Sequence, residues 1–417
     1  MSATSSHMIT ALDVGSSKIA CFIGSVDDEG GIGIPGMGVR SCRGVRSGAV
    51  VDIAETEHAM RSAVEQAERM AGVTVDEVIV SVSAGDLESH IVEVETEIEG
   101  HRVEESDLRH ALSQARASIT LTDREVIHAF PACFALDGIY GVRAPIGLYG
   151  ERLATTLHVV TARAAPLRNL RTCVERAHLR VRRFVAAPYA SGLATLVEDE
   201  MQLGAAVVDI GAGTTDVAIF AGGAMVFASV LPLGGNHVTQ DIARGLLTPV
   251  DQAERLKTLH GQALSTAADD RETIDVPQLG EGDYDPDGYI TVPRSRLSRI
   301  IEPRLAEILE LVRDRLEAGG FAGGAARRVV LTGAASQLPA MRDLAQRILD
   351  KQVRLGRPSG LTGLAAATAG PGFATTAGLL LHSAKAPPES AAPRSPVSLP
   401  AAGGGLARLG RWLRENL

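Results

Sequence analysis

Aromatic residues are scarce in this 417-residue chain: Phe, Trp and Tyr together make up 3%, with one Trp. A core built without them is aliphatic, and the stacking platforms that single-stranded nucleic acid needs are missing. Positive charge is also short, with 41 Lys and Arg against 50 Asp and Glu and a formal net charge of −9. Such a balance excludes nucleic acid as a partner class, because phosphate backbones are bound by an excess of cations. The four cysteines, Cys21, Cys42, Cys133 and Cys173, form no CxxC pair and have no His cluster beside them. They read as free buried thiols in a reducing compartment. The P-loop pattern GxxxxGK[ST] is absent, and so is any Ser/His/Asp or Cys/His constellation. Residues 1–8 are polar, with no apolar signal core. One long stretch, 358–381, carries no charge. It is rich in Ala, Thr and Gly and broken by Gly370-Pro371-Gly372, which marks a buried core element rather than a membrane span.

What is present suits two or more globular domains: 45% apolar and 22% charged residues over a chain of this length. Alternation and turn residues predict strands over 9–14, 19–26 and 32–39, then a helix over 54–71 and a strand over 78–82. The same order recurs later, with strands over 205–210, 216–220 and 225–231 and a helix from about Asn236. Each copy has an acidic strand end followed by a turn of small residues: Asp13-Val14-Gly15-Ser16-Ser17-Lys18 in the first, Asp209-Ile210-Gly211-Ala212-Gly213-Thr214-Thr215-Asp216 in the second. Glycine admits an anion close to the backbone, and successive turn amides can line a phosphate. Two such hairpins face to face would clamp a triphosphate, with Ser16, Ser17 and Lys18 as further donors. Asp13 and Asp209 would hold Mg²⁺ through water.

Two weaker signals sit nearby. Val329-Val330-Leu331-Thr332-Gly333-Ala334-Ala335-Ser336 is a buried strand running into a small-residue turn, a place where a base or ribose can approach closely. The helix over 251–261 puts Glu254 and Lys257 on one face, either to grip ribose hydroxyls or as a solvated ion pair. Residues 87–164 read as an α+β insertion. Residues 246–321 read as a second, with an acidic segment over 269–288 and a helix over 294–316 that Pro303 should kink or restart.

From 382 to 405 the chain is rich in Pro, Ala, Ser and Gly and reads as a flexible linker. Residues 406–417 then form an amphipathic pattern. At about 100° per residue, Leu406, Leu409, Leu413 and Leu417 share a face with Trp412 at its edge. Arg408 and Arg411 lie opposite, as in a helix that rests in the interface of an anionic membrane.

The paired hairpins and the VLTGAAS turn resemble the actin, Hsp70 and hexokinase superfamily. VVDIGAGTTDVAIF, LPLGGNHVTQDIA with DQAERLKTLHG after it, IIEPRLAEIL and the RWLREN end are similar to the FtsA family of bacterial cell-division proteins. The resemblance covers about 8–381 and the last dozen residues. It implies an α/β fold of duplicated, actin-like, ribonuclease-H-like halves with an inserted α+β subdomain, 1C, and a C-terminal amphipathic helix. The expected division is 8–86 with 165–198 (1A), 87–164 (1C), 199–245 with 322–381 (2A), 246–321 (2B), linker 382–405 and helix 406–417.

The resemblance further implies ATP with Mg²⁺ in the cleft, bound by Asp13, Gly15, Ser16, Ser17, Asp209, Gly211, Gly213, Thr214, Thr215, Gly234, Gly235, Glu254, Lys257, Gly333 and Ala334. Asp13 and Asp209 are the candidate catalytic residues of a weak ATPase at most. The family usually has glycine where this chain carries Ala212 and Ala334, so a methyl tightens each turn. Implied partners are further copies of the chain in an actin-like filament, other division proteins at the insertion, membrane lipids, and the C-terminal peptide of the tubulin-like protein FtsZ, met by Arg304 and Arg294. The implied place is the cytoplasmic face of the inner membrane at the division septum. A small-molecule kinase of the same superfamily would need an acceptor pocket and a base that the residues do not reveal, and a pilus-assembly scaffold should lack the tail.

Overall fold

The computed structural model describes residues 7–385 apart from 85, 120, 143, 279–287 and 322–325. The linker over 386–405 and the helix expected over 406–417 lie outside the described residues, as does most of the acidic segment's second half.

In the first half, strands β1 (His7–Val14), β2 (Lys18–Val26) and β3 (Ile32–Ser41) pair in sequence as an antiparallel meander. A two-residue pair, β4 (Val45–Arg46) and β5 (Ala49–Val50), leads into α1 (Ile53–Ala71). Asp52 starts that helix by accepting the amide of Glu55, which satisfies one of the unpaired N–H groups of the first turn. Its apolar stripe, Met60, Ala63, Val64 and Ala67, is buried against the sheet. Strand β6 (Glu77–Val82) then lies parallel to β1.

The chain leaves this sheet for β7 (Glu88–Glu97), α2 (Glu105–Ala117), β8 (Arg124–Leu136), β9 (Ile139–Val142) and β10 (Arg152–Arg163). These strands form their own four-stranded sheet in the order β7-β10-β8-β9. The chain returns through α3 (Ala164–Arg176) to β11 (Arg180–Ala186), which pairs with β6 and completes a five-stranded sheet, β11-β6-β1-β2-β3. Helix α4 (Ala187–Thr195), almost wholly buried, carries it into the second half.

There, after the short α5 (Glu198–Leu203), β12 (Ala205–Ile210), β13 (Thr215–Ala221) and β14 (Ala224–Leu231) repeat the meander. Helices α6 (Gly235–Leu246) and α7 (Val250–His260), the hairpin of β15 (Thr273–Pro277) and β16 (Tyr289–Pro293), and α8 (Arg294–Ala318) follow. Strands β17 (Arg328–Thr332) and β18 (Gln352–Leu355), joined by α9 (Met341–Leu349), complete the sheet β14-β13-β12-β17-β18.

Two expectations change. Helix α8 runs 25 residues without a restart at Pro303. Proline removes the N–H that would reach the carbonyl of Arg299, but both residues are on the solvent side, where water satisfies that group. Ile301, Leu305, Ile308, Leu309 and Val312 hold the other face in the core. Residues 382–385, expected to open the linker, are helical instead. Helix α10 (Ala374–Lys385) continues through His382, whose ring packs on Tyr189 and His128. All four cysteines are free and buried.

Helix α10 packs against α4, and Gly378 lies directly against the backbone of Ala190. A Cβ at Gly378 would lie 1.7 Å from the carbonyl oxygen of Ala190. A backbone oxygen cannot rotate away, so the overpacking penalty, about 1–3 kcal/mol, outweighs the gain of about 1 kcal/mol in helix propensity. Gly378→Ala is expected to lower the midpoint of thermal unfolding. A midpoint at or above the parent's would sink this account of the contact.

Candidate functional site

The two acidic turns share their hydrogen-bond pattern as well as their letters. Asp13 pairs with Ala20 across its hairpin and Asp209 with Asp216 across the other, the same offset of seven residues. Gly15 N–H closes the first turn on the Lys18 carbonyl at 3.0 Å, and Gly211 N–H closes the second on the Thr214 carbonyl at 2.9 Å. The amides of Ser16, Ser17, Ala212 and Gly213, between those bonds, have no acceptor among the described residues. They are the free donors an anion needs.

The hairpins meet at the bottom of a cleft of about 810 Å³ between the halves. Of the residues read from sequence, Ser16, Ser17, Gly211, Gly235, Glu254, Lys257 and Ala334 line it. Ala212, Asn236, Gln240 and Gln337 join them on the second half, and Ser41, Cys42 and Arg43 on the first. Asp13, Gly15, Lys18, Asp209, Gly213, Thr214, Thr215, Gly234 and Gly333 are not in this wall. They stand behind it and shape it. Gly333, for example, has φ +86°, and a Cβ there would lie 2.3 Å from Asp209 Oδ1, so only glycine fits.

Beneath the floor, Asp13 accepts from the hydroxyls of Ser81 at 2.7 Å and Thr376 at 3.1 Å. Asp209 accepts from Ser191 and from Thr375 at 3.1 Å. Adjacent threonines in the first turn of α10 thus hold one aspartate from each half. Burial pushes both carboxyls up, Asp209 to about 6, with the charge of Asp13 adding to it. Lys18 provides the opposing charge. Its Nζ stands 3.4 Å from the ring centroid of Phe373, and burial lowers its pKa against the pull of Asp13 and Asp209. The Asp216 carboxyl, raised by burial and by Asp209, accepts from Ser83 at 2.9 Å across the two halves.

Lys257 differs from both readings of its helix. It is 8% exposed, and its ammonium donates to Glu254 at 2.6 Å, Thr239 at 2.9 Å and the Gly235 carbonyl at 3.1 Å. Three donors meet three acceptors, so nothing remains for a ribose. Lys257 instead fixes the Gly234-Gly235 turn, which the amides of Gly235 and Asn236 also tie to the carbonyls of Gly211 and Ala212. Glu254, half exposed, keeps accepting capacity toward the cleft.

Among the described residues no group of three His, Cys, Asp or Glu is placed to hold a metal ion. Two carboxylates already bonded to hydroxyls fit a hydrated Mg²⁺ that arrives with a nucleotide.

Sequence comparison completes the picture. A family model described as Cell division protein FtsA matches residues 206–378, and one described as an SHS2 domain inserted in FtsA matches 84–161. Curated cell division proteins FtsA are 44% identical in Rhizobium meliloti (strain 1021), over 99% of this chain and 95% of that one. The relative from Escherichia coli (strain K12) is 32% identical over 99% of each chain. The chain belongs to the FtsA family of cell division proteins.

Among solved structures, the PilM–PilN type IV pilus biogenesis complex matches with a TM-score of 0.63 at 17% identity, covering 91% of this chain and 99% of that one. MreB5 of Spiroplasma citri bound to ADP matches with a TM-score of 0.51 at 14% identity, over 90% and 96%. At such identities the likeness shows the fold, which is actin-like with the FtsA-type insertion between β6 and α3.

No pattern along the chain points to Thr375, Thr376, Ser81 or Ser191, because hydroxyls that hold carboxylates from distant segments have no spacing signature. Asp209 offers a direct check on the floor. Its folded pKa of about 6 lies above the ordinary 3.8, so its contribution to stability is fully present below about pH 4 and lost as pH rises through 6. Asp209→Asn lacks that loss. In nucleotide-free protein, the unfolding midpoint of the variant minus that of the parent is expected to rise from pH 4 to 6 and level off above. A difference that stays flat across that window rules out the raised pKa.

Proposed function

We propose that this protein is an ATP-binding, actin-like cell-division scaffold that polymerises and anchors FtsZ filaments of the division ring to the cytoplasmic membrane. The cleft carries this reading: two hairpins of one design, one from each half, bring the free-amide residues Ser16, Ser17 and Ala212 into the wall of a pocket of about 810 Å³. MreB5 of Spiroplasma citri, a fold relative, has been solved with ADP and with AMPPNP. Nucleotide binding would lock the halves together, because phosphates between the hairpins bond to both. Mg²⁺ entering with ATP would offset phosphate charge. Hydrolysis, if slow, would be assisted by Asp13 and Asp209 through water, since neither carboxylate lines the cleft.

Among the described residues no helix is long and apolar enough to cross a membrane. Membrane contact is assigned to Leu406, Leu409, Trp412, Leu413 and Leu417 on one face of the C-terminal segment, with Arg408 and Arg411 toward anionic headgroups. One such helix binds weakly and a filament of them binds by avidity. Full-length protein with ATP is expected to pellet with anionic vesicles, and a chain truncated after Gly405 to stay in solution while still binding ATP. Pelleting of both chains would remove the tail from its proposed role.

For the acidic FtsZ peptide we favour Arg304 over Arg294. Arg294 is tied down by the His260 carbonyl at 2.9 Å, Glu272 at 2.6 Å and Gln262 at 3.2 Å, bracing α8 against α7. Arg304 is paired with Asp241 at 2.6 Å and with Glu307, on the outer part of α6 and α8. A peptide carboxylate would join that pair. Arg304→Glu sets a third carboxylate beside Asp241 and Glu307, and loss of a charge-assisted bond should weaken peptide binding about tenfold or more. Titration showing unchanged affinity would move the peptide elsewhere.

A further inference from the structure

We propose that Arg43 is a phosphate-binding residue of the cleft, supplied by the first half and closing on the polyphosphate of a bound nucleotide opposite Asn236 and Gln240. The proposal rests on the nucleotide reading above and adds to it a cationic side-chain contact from the first half.

The argument begins with charge. Two cationic residues line the cleft, Lys257 and Arg43. Lys257 has spent its three donors on Glu254, Thr239 and Gly235. Lys18 is outside the wall, against Phe373 and the buried aspartates. The second half's wall also carries two carboxylates, Asp251 and Glu254. A polyphosphate placed there meets free amides at the floor and negative charge at the side. Arg43 is the remaining source of positive charge in the wall. It is exposed, and its guanidinium makes no hydrogen bond or ion pair among the described residues. Its planar fork of five donors suits phosphate oxygens.

The backbone around Arg43 is anchored while its side chain is left free. Cys42 N–H donates to the carbonyl of Ser17 at 3.0 Å, which attaches this loop directly to the first hairpin. Arg43 N–H donates to Glu55 Oε1 at 2.9 Å. The Gly44 carbonyl accepts from Val51 and Asp52 at 2.8 and 3.1 Å, and a Cβ at Gly44 would lie 2.4 Å from Thr56 Oγ1. The loop is therefore held to α1 on one side and to the anion-binding turn on the other. Only the side chain must be ordered on binding, which keeps the entropic cost small. Arg46 is the natural control. It lies three residues further on, at the end of β4, and is exposed, yet is not in the cleft wall.

The test is calorimetric titration of the full chain and of Arg43→Ala, Arg43→Lys and Arg46→Ala with ATP, ADP and adenosine. Arg43→Ala is expected to weaken ATP and ADP by about tenfold or more while adenosine changes by less than about twofold. Arg43→Lys should recover part of the loss and Arg46→Ala should match the parent. Equal losses for ATP and adenosine, or no loss for either, overturn the assignment of Arg43. A parent chain that binds none of the three overturns the nucleotide reading itself and takes this assignment with it.

Discussion

A pair of neighbouring hydroxyls ties the two halves of this protein together beneath the cleft floor. Thr375 and Thr376 open α10, the last described helix, and each bonds to the aspartate that ends the first strand of one half. A helix that starts there must sit over both sheets at once, and α10 does so by packing on α4, the segment that joins them. The cleft is open above this point and closed below it. Burial raises both carboxyls, the charge of Asp13 raises Asp209 further, and Lys18 supplies one opposing charge to the two.

The insertion is joined to the second half as well as to the first. Ser89 on β7 accepts from the amide of Ala228 at 2.7 Å and donates to its carbonyl at 2.9 Å. It also bonds to the buried His158, which contacts the Met225 carbonyl at 2.9 Å. His158 is held neutral by burial, with its pKa lowered to about 4. The inserted sheet is therefore tied to β14 of the second half. On the other side, His128 of β8 accepts the Ala186 amide at 3.0 Å and packs edge-on to His382 of α10. The last described helix thus touches the insertion, so the point from which the C-terminal segment departs is set by the same packing that positions that domain.

Much of this was legible in the order of residues. Strand and helix positions of both meanders follow from alternation and 3.6-residue spacing, which depend only on neighbours along the chain. The duplicated hairpins are legible because an anion turn needs small residues in consecutive positions. Cation roles were not legible. Lys257 sits on a helix beside Glu254, and local spacing cannot show that Thr239 and Gly235 fill its remaining donors. Pro303 reads locally as a kink or a restart, yet α8 continues through it with its apolar stripe on the opposite face in the core.

The sequence by itself determined the family, the two-fold internal repeat, the insertion and the turns that can meet phosphate, because each is written in contiguous residues. Only the tertiary structure decided which groups face the cleft and which stand behind it. Asp13 and Asp209 are 196 residues apart in sequence and meet through threonines near the end of the described chain. Long-range closure of that kind depends on how two sheets pack on α4 and α10, and no local pattern encodes the hydroxyls it brings to the carboxylates.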